Sequence, residues 1–179
     1  MNTHGKKTSG LTVREMTVFS MLGAIMFLSK LLMEALPNIH LLGVLTMAYT
    51  LAYRGKALFP LYLNVLLVGI YGGFNLWWLP YVYIWTILWG VTMLLPKKMS
   101  RGAAAIVYPA VCALHGLCYG TLYAPAQALM FGLDFRQTLA WIAAGLPWDV
   151  LHGAGNLLLG FIILPLSELL RRLSRGTRK

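Results

Sequence analysis

Apolar residues run through this chain in long blocks, and short polar or Gly/Pro clusters cut the blocks apart. The blocks cover about 16–36, 40–53, 57–75, 78–95, 103–124 and 139–165. The cuts are "YRGK" at 53–56, "PKKMSRG" at 96–102 and "GLDFRQ" at 132–137, with the "LPN" and "GGFN" turns making the other joins. Such clusters interrupt helices rather than continue them. A bilayer core about 30 Å thick needs roughly 20 apolar residues per helical crossing, and backbone groups inside it must be satisfied internally. The pattern therefore predicts an all-α integral membrane protein with six transmembrane helices, the 40–53 helix being the short one. No linker is long enough to separate two domains, and no internal repeat stands out. The expected organisation is a cytoplasmic N-terminal segment, 1–15, one six-helix transmembrane domain, 16–165, and a basic cytoplasmic tail, 166–179. The opening "MNTHGKKTSGLTVRE" is polar and basic, its apolar successor is too long for a signal-peptide core, and no small-residue cleavage site follows. The first helix is expected to stay attached.

Composition agrees with a membrane class. The 179 residues are 59% hydrophobic and 11% charged, with a mean hydropathy of +0.69, whereas soluble domains carry about 25% charged residues. Charge then fixes an expected orientation, because Lys and Arg flanking spans favour the cytoplasm. Lys6, Lys7 and Arg14 precede the first span, Arg54 and Lys56 join the second and third, and Lys97, Lys98 and Arg101 join the fourth and fifth. Arg171, Arg172, Arg175, Arg178 and Lys179 follow the sixth. With six spans these all share one side, leaving only Lys30 and Arg136 of the 15 basic residues on the other. Both termini are expected inside. The net charge of +10 is spread over loops and tails, so it does not call for nucleic acid; the tail "SELLRRLSRGTRK" can also touch anionic lipid. Cys112 and Cys118 lie six apart in one apolar block and fit neither a disulfide framework nor a zinc spacing.

With that orientation, polar and aromatic side chains gather toward the outer ends of the helices. Lys30 and Glu34 are four apart on one face, either as an ion pair or as a snorkelling lysine and a solvated carboxylate. Pro37 stops the helix, Asn38 is placed to cap the next one, and His40 lies at its mouth. In "GLPWDVLHGAGNLLLG", Asp149, His152 and Asn156 are spaced by three and four, a polar stripe that must face protein. Pro147 suits a first helical turn, which puts Trp148 and Asp149 at a positive helix end. The stripe reads as substrate contact or as hydrogen bonds between helices. The run "FNLWWLPYVYIW" at 74–85 adds Asn75, Trp77, Trp78, Tyr81 and Trp85, with Trp78, Tyr81, Trp85 and Trp89 along one face. An interfacial belt accounts for some of these, Trp77 best; stacking on a planar ligand suits the others. Cys112, Gly116, Gly120 and Ala124 recur every four, as do Ser20 and Ala24, rows that permit close helix contact.

Motifs for chemistry are lacking. His4, His40, His115 and His152 show no HExxH pattern, and no Walker A, GxSxG or GxGxxG motif is in place. No nucleophile stands at an obvious spacing from Asp149 and His152. The reading is of a protein that is not an enzyme and carries no cofactor or structural metal.

Three segments, "LPNIHLLG", "WWLPYVYIW" and "GLPWDVLHGAGN", at these places in a six-span chain of this length, resemble the substrate-binding S component of energy-coupling factor (ECF) transporters. The resemblance implies a prokaryotic plasma-membrane protein with both termini inside, binding a vitamin or related micronutrient near the outer face. It implies partners: a transmembrane T component and two cytosolic ATPases, with the S component toppling in the membrane to deliver its ligand. The loop between the first two spans would serve as a lid, giving "LPNIH" a role. Ser20 and Ala24 are the best match to the Ala-xxx-Ala row that meets the T component, with Ser in place of the first Ala. No family signature assigns ligand contacts, so Glu34, Asn38, His40, Asn75, Trp78, Tyr81, Trp85, Trp148, Asp149, His152 and Asn156 are expected to bind substrate on the reading of the residues themselves. That ligand is read as a planar heterocycle of the pyridine, deazapurine or corrinoid kind, with cobalamin and a queuosine precursor among the candidates, and not a polyphosphate. Competing readings are a proton-coupled secondary carrier using Asp149 and His152 as a relay, and an intramembrane hydrolase.

Overall fold

The computed structural model describes residues 10–176, with side chains to Ser174, and among these it is helical throughout with no strand. Lys6, Lys7, Arg178, Lys179 and the side chain of Arg175, all counted toward the expected orientation, lie outside the described residues.

Helix α1 spans Val13–Leu32 and starts where Thr12 and Glu15 each bond the other's backbone N–H, at 3.2 and 3.1 Å, a reciprocal cap. Helix α2, Leu42–Tyr53, leads through a 3-10 turn, Arg54–Ala57, into α3, Leu58–Gly72. Then come α4, Tyr81–Leu94, and α5, Arg101–Leu117, whose Ser100 cap accepts the Ala103 N–H at 3.2 Å. Helix α6 is Tyr119–Phe131, and α7, Phe135–Gly160, is opened by a second reciprocal cap between Asp134 and Gln137. The last helix, α8, is Ile163–Gly176.

Three stretches, Val13–Leu32, 42–72 and 101–131, are long and apolar enough to cross a bilayer. The α7–α8 pair, bent by 50°, makes a fourth. The chain is an all-helical membrane protein on this ground, but the expected set of six full-length spans is not what the lengths give: α2, α3 and α4 have 12, 15 and 14 residues, short of the roughly 20 required.

The 42–72 stretch is moreover not one straight rod. The Leu22 carbonyl accepts the Tyr49 hydroxyl at 3.4 Å while neighbouring Gly23 lies against Leu63. In a single helix those two residues would stand about 21 Å apart. The chain therefore doubles back at Arg54, whose φ of 56° and ψ of −125° leave the helical region. The reversal is held by the Arg54 guanidinium on the Met93 carbonyl at 2.8 Å and by the Trp89 indole on the Arg54 carbonyl at 3.2 Å.

Helix boundaries also depart from the sequence reading. The 103–124 block is two helices that break at Cys118 and run on to Phe131. The 139–165 block begins at Phe135, so Pro147 lies inside α7 rather than at its first turn. Asn38 caps nothing: it adopts a φ of 57°, and α2 starts after Leu41 with no side-chain cap.

Two seams hold the bundle. Along α5–α7 the small residues do the packing: a Cβ on Gly160 would meet the Pro109 Cα at 2.7 Å, and one on Gly116 would meet the Gly153 backbone at 3.0 Å. The row read from the sequence thus serves contact within the chain. Along α1–α3, Gly23 seats Leu63 and the Phe19 and Phe59 rings stack at 6.3 Å. Large apolar side chains such as Ile25, Leu28, Ile70, Val150 and Leu158 stay on the outside, a surface that suits lipid rather than water.

The two ends of the bundle differ. At one end Lys56 pairs with Glu15, Arg101 bonds Glu168 at 2.7 Å, and Arg171 donates to the Leu51 carbonyl at 2.7 Å. Thr12, Arg14, Leu173 and Ser174 border one groove there, so both ends of the described chain meet at this basic end. The opposite, distal end carries the α1–α2 and α3–α4 connections.

Candidate functional site

At the distal end the chain between α1 and α2 folds into consecutive turns, with N–H groups of Glu34, Leu36 and Ile39 bonded to the carbonyls of Leu31, Met33 and Leu36. Pro37 cannot extend α1, and Asn38 in the left-handed region, which Asn tolerates better than most residues, turns the chain back. The loop covers a cavity of about 200 Å³. Lys30, Glu34, Asn38 and His40 line it from this side; Tyr81 of the first turn of α4, Tyr119 of the first turn of α6 and His152 of α7 line it from below.

The aromatic and imidazole rings form one continuous cluster. His40 stands edge-on to His152 at 4.8 Å between centroids and to Trp85 at 5.7 Å. Tyr119 lies 5.0 Å from His152 and 5.9 Å from Trp85, and Trp85 reaches Tyr81 at 6.2 Å and His115 at 5.5 Å. Four ring nitrogens here are buried with no hydrogen-bond partner: His40 Nδ1, His152 Nε2, Trp85 Nε1 and His115 Nδ1. Leaving such a group unsatisfied costs about 1–3 kcal/mol. Burial pushes the His40 imidazole down to about 4, and Lys30 nearby adds to the effect, so the ring is neutral at physiological pH.

Six of the expected ligand contacts fall at or directly behind this cavity: Glu34, Asn38, His40, Tyr81 and His152 on its wall, and Trp85 packed against His40. Lys30 and Glu34 both line the cavity and make no ion pair within 4.0 Å of one another; the pairing alternative is not realised.

The other five are placed elsewhere. Asp149, 5% exposed, accepts the Gly120 N–H on both oxygens at 3.0 and 3.1 Å. Its carboxylate does sit at a positive helix end, but that of α6 and not of its own helix. Asn156 donates to the Cys112 carbonyl at 3.1 Å inside the α5–α7 seam. The Trp78 indole donates to the Val65 carbonyl at 2.8 Å, tying the turn before α4 to α3. Asn75 reaches only the Gly72 carbonyl, at 3.4 Å, in an exposed turn. Trp148 points outward, 53% exposed. Of the expected docking pair on α1, Ser20 is exposed and Ala24 half-buried.

Tyr119 and His115 escaped the sequence reading as ligand contacts. A signal was present: His115, Tyr119 and Tyr123 recur every four residues, a polar-aromatic stripe in an apolar block, hidden by the small-residue row beside it. Among the described residues no three His, Cys, Asp or Glu side chains gather as a metal site. The cluster offers ring faces for stacking, neutral imidazole nitrogens for hydrogen bonds, and one cation and one anion at the rim. Comparison with known protein families, with curated proteins and with solved structures gives no match for this chain.

Proposed function

We propose that this protein is the substrate-binding membrane subunit of an ECF-type importer, taking up a small vitamin-like solute from outside a prokaryotic cell. In this reading the six helical segments cross the membrane in alternation with both termini inside, the short α2, α3 and α4 crossing with the help of their flanking turns. A T component docks on α1 around Ser20 and Ala24, and two cytosolic ATPases drive toppling, which carries the distal end inward. The observation that carries the reading is the loop-covered cavity at the end opposite Lys56, Arg101 and Arg171, walled by His40, Tyr81, Tyr119 and His152. A basic end marks the cytoplasmic side, so the cavity faces out. Its volume of about 200 Å³ is below the 300–1,000 Å³ of common ligand pockets, which favours a one- or two-ring heterocycle over a corrinoid.

The test is uptake of a labelled solute by proteoliposomes holding this chain with a T component and both ATPases. ATP-dependent accumulation that disappears when this chain is omitted is the expected outcome. Accumulation by this chain alone under a pH gradient would replace the proposal with the proton-coupled carrier, a reading that draws on the contact between His40 and His152.

A further inference from the structure

The cavity wall says more about its solute than size. His40 and His152 approach to 4.8 Å between ring centroids, come from different parts of the chain, and each holds a buried ring nitrogen without a partner, Nδ1 and Nε2 respectively. Side chains that merely fill space need no such nitrogens, and isolated buried imidazoles usually settle onto a carbonyl, as His115 Nε2 does on Ile84 at 3.2 Å. A neutral imidazole presents one donor and one acceptor nitrogen, so two of them side by side complement two adjacent polar atoms of a flat ring. The lining holds one cation and one anion, Lys30 and Glu34, so it carries no net charge that would call for an ionic group at the pair. Asp149, the nearest carboxylate along α7, is occupied by the Gly120 N–H. The tyrosine and tryptophan rings around the pair supply faces for stacking.

Taking the cavity as the solute site, as proposed above, we infer that His40 and His152 together read an uncharged, amide- or lactam-type edge of a planar heterocycle. They are the residues that decide which solute is accepted. Glu34 and Lys30 sit farther out at the rim, where substituents on the ring, and not its reading edge, would lie.

The experiment uses the purified full chain and matched probes, read by thermal shift and by tryptophan fluorescence. Nicotinamide is set against 3-methylpyridine, and hypoxanthine against purine, so that each pair differs in the polar edge. Nicotinate and 3-(aminomethyl)pyridine vary the charge, and Zn²⁺ and Ni²⁺ are added alone. The expected result is that nicotinamide and hypoxanthine bind about tenfold or more tighter than their partners, because a site built for hydrogen bonding rejects the analogue that cannot make them. The preference should vanish in His40→Phe and His152→Phe, which keep a ring and remove its nitrogens, and persist in Trp148→Ala. Should either Phe variant fail to fold, the alanine variant at that position is read the same way. A ranking set by charge alone, a preference that survives in the His variants, or micromolar Zn²⁺ or Ni²⁺ binding lost in those variants would each overturn the inference while leaving the receptor reading in place. If no probe of any class shifts the protein, both fall together.

Discussion

Two regions of this bundle bury polar side chains among apolar helices, and they do so in opposite ways. Where α7 packs on α5 and α6 the polar groups are answered: Asn156 has the Cys112 carbonyl of α5, and Asp149 has the Gly120 N–H of α6 twice. Around the distal cavity the imidazole and indole nitrogens of His40, His152 and Trp85 are buried and unanswered. The seam buries apolar surface and satisfies its few polar groups, which is what a structural contact requires. The cavity leaves donors and acceptors uncommitted, which is what the proposed binding of a solute would use. Asp149 and His152, three residues apart on one helix, fall on either side of this division.

The contrast can be broken most sharply at the seam. Gly116→Leu places a side chain where a Cβ alone would come within 2.8 Å of the Asn156 amide. Overpacking of this kind costs about 1–3 kcal/mol, occasionally more, and the expected outcome is a large fall in the detergent unfolding temperature. Next comes Asp149→Ala, which strips the Gly120 N–H of its acceptor and should destabilise the fold by about 1–3 kcal/mol; denaturant titration checks it, and solute affinity in the folded fraction should change little.

At the cavity the prediction reverses. His152→Phe removes a nitrogen that has no partner, so stability should hold or rise slightly while affinity for the solute falls about tenfold, or about 1.4 kcal/mol. Calorimetric titration beside thermal unfolding separates the two readouts.

A gentler effect concerns acidity. The His40 imidazole ordinarily titrates near 6.5 but is held at about 4 in the fold, so between those values the unfolded chain binds the extra proton. Stability is complete above pH 6.5 and declines as pH falls toward 4, by at most about 1.4 kcal/mol per unit from this group. Unfolding measured at pH 7.5 and pH 5 should show the decline, and His40→Phe should make it shallower. The smallest effect is expected from Asn75→Ala and Trp148→Ala, whose side chains face a solvated turn and the outer surface; affinity should stay within about twofold.

Much of this division was visible in the sequence, though not its direction. The three- and four-residue spacing of Asp149, His152 and Asn156 identified a face of α7 that had to meet protein. What it met depended on α5 and α6, whose break at Cys118 brings Gly120 under Asp149 and Tyr119 under the cavity; periodicity along one helix carries no information on a neighbour's break. Pro147 misled because proline fits a first turn so well, yet α7 had already been started twelve residues earlier by the Asp134 cap. The tryptophans illustrate the same limit: Trp78, Trp85 and Trp89 share a stripe, yet the indoles of Trp78 and Trp89 find backbone carbonyls while that of Trp85 finds none. Apolar block lengths gave the helical class correctly and overstated the lengths of α3 and α4, because Gly73, Asn75 and the residues to Pro80 form turns that remain apolar in composition.

The sharp reversal at Arg54 leaves α2 with 12 residues, a rod of about 18 Å. Residues 42–51 are all buried, so neighbouring helices and not lipid enclose this short wall. The apolar path along α2 is then about 18 Å, little more than half of the roughly 30 Å of a bilayer core. A group held beneath the 33–41 loop is therefore one short helix away from the Arg54 reversal at the basic end.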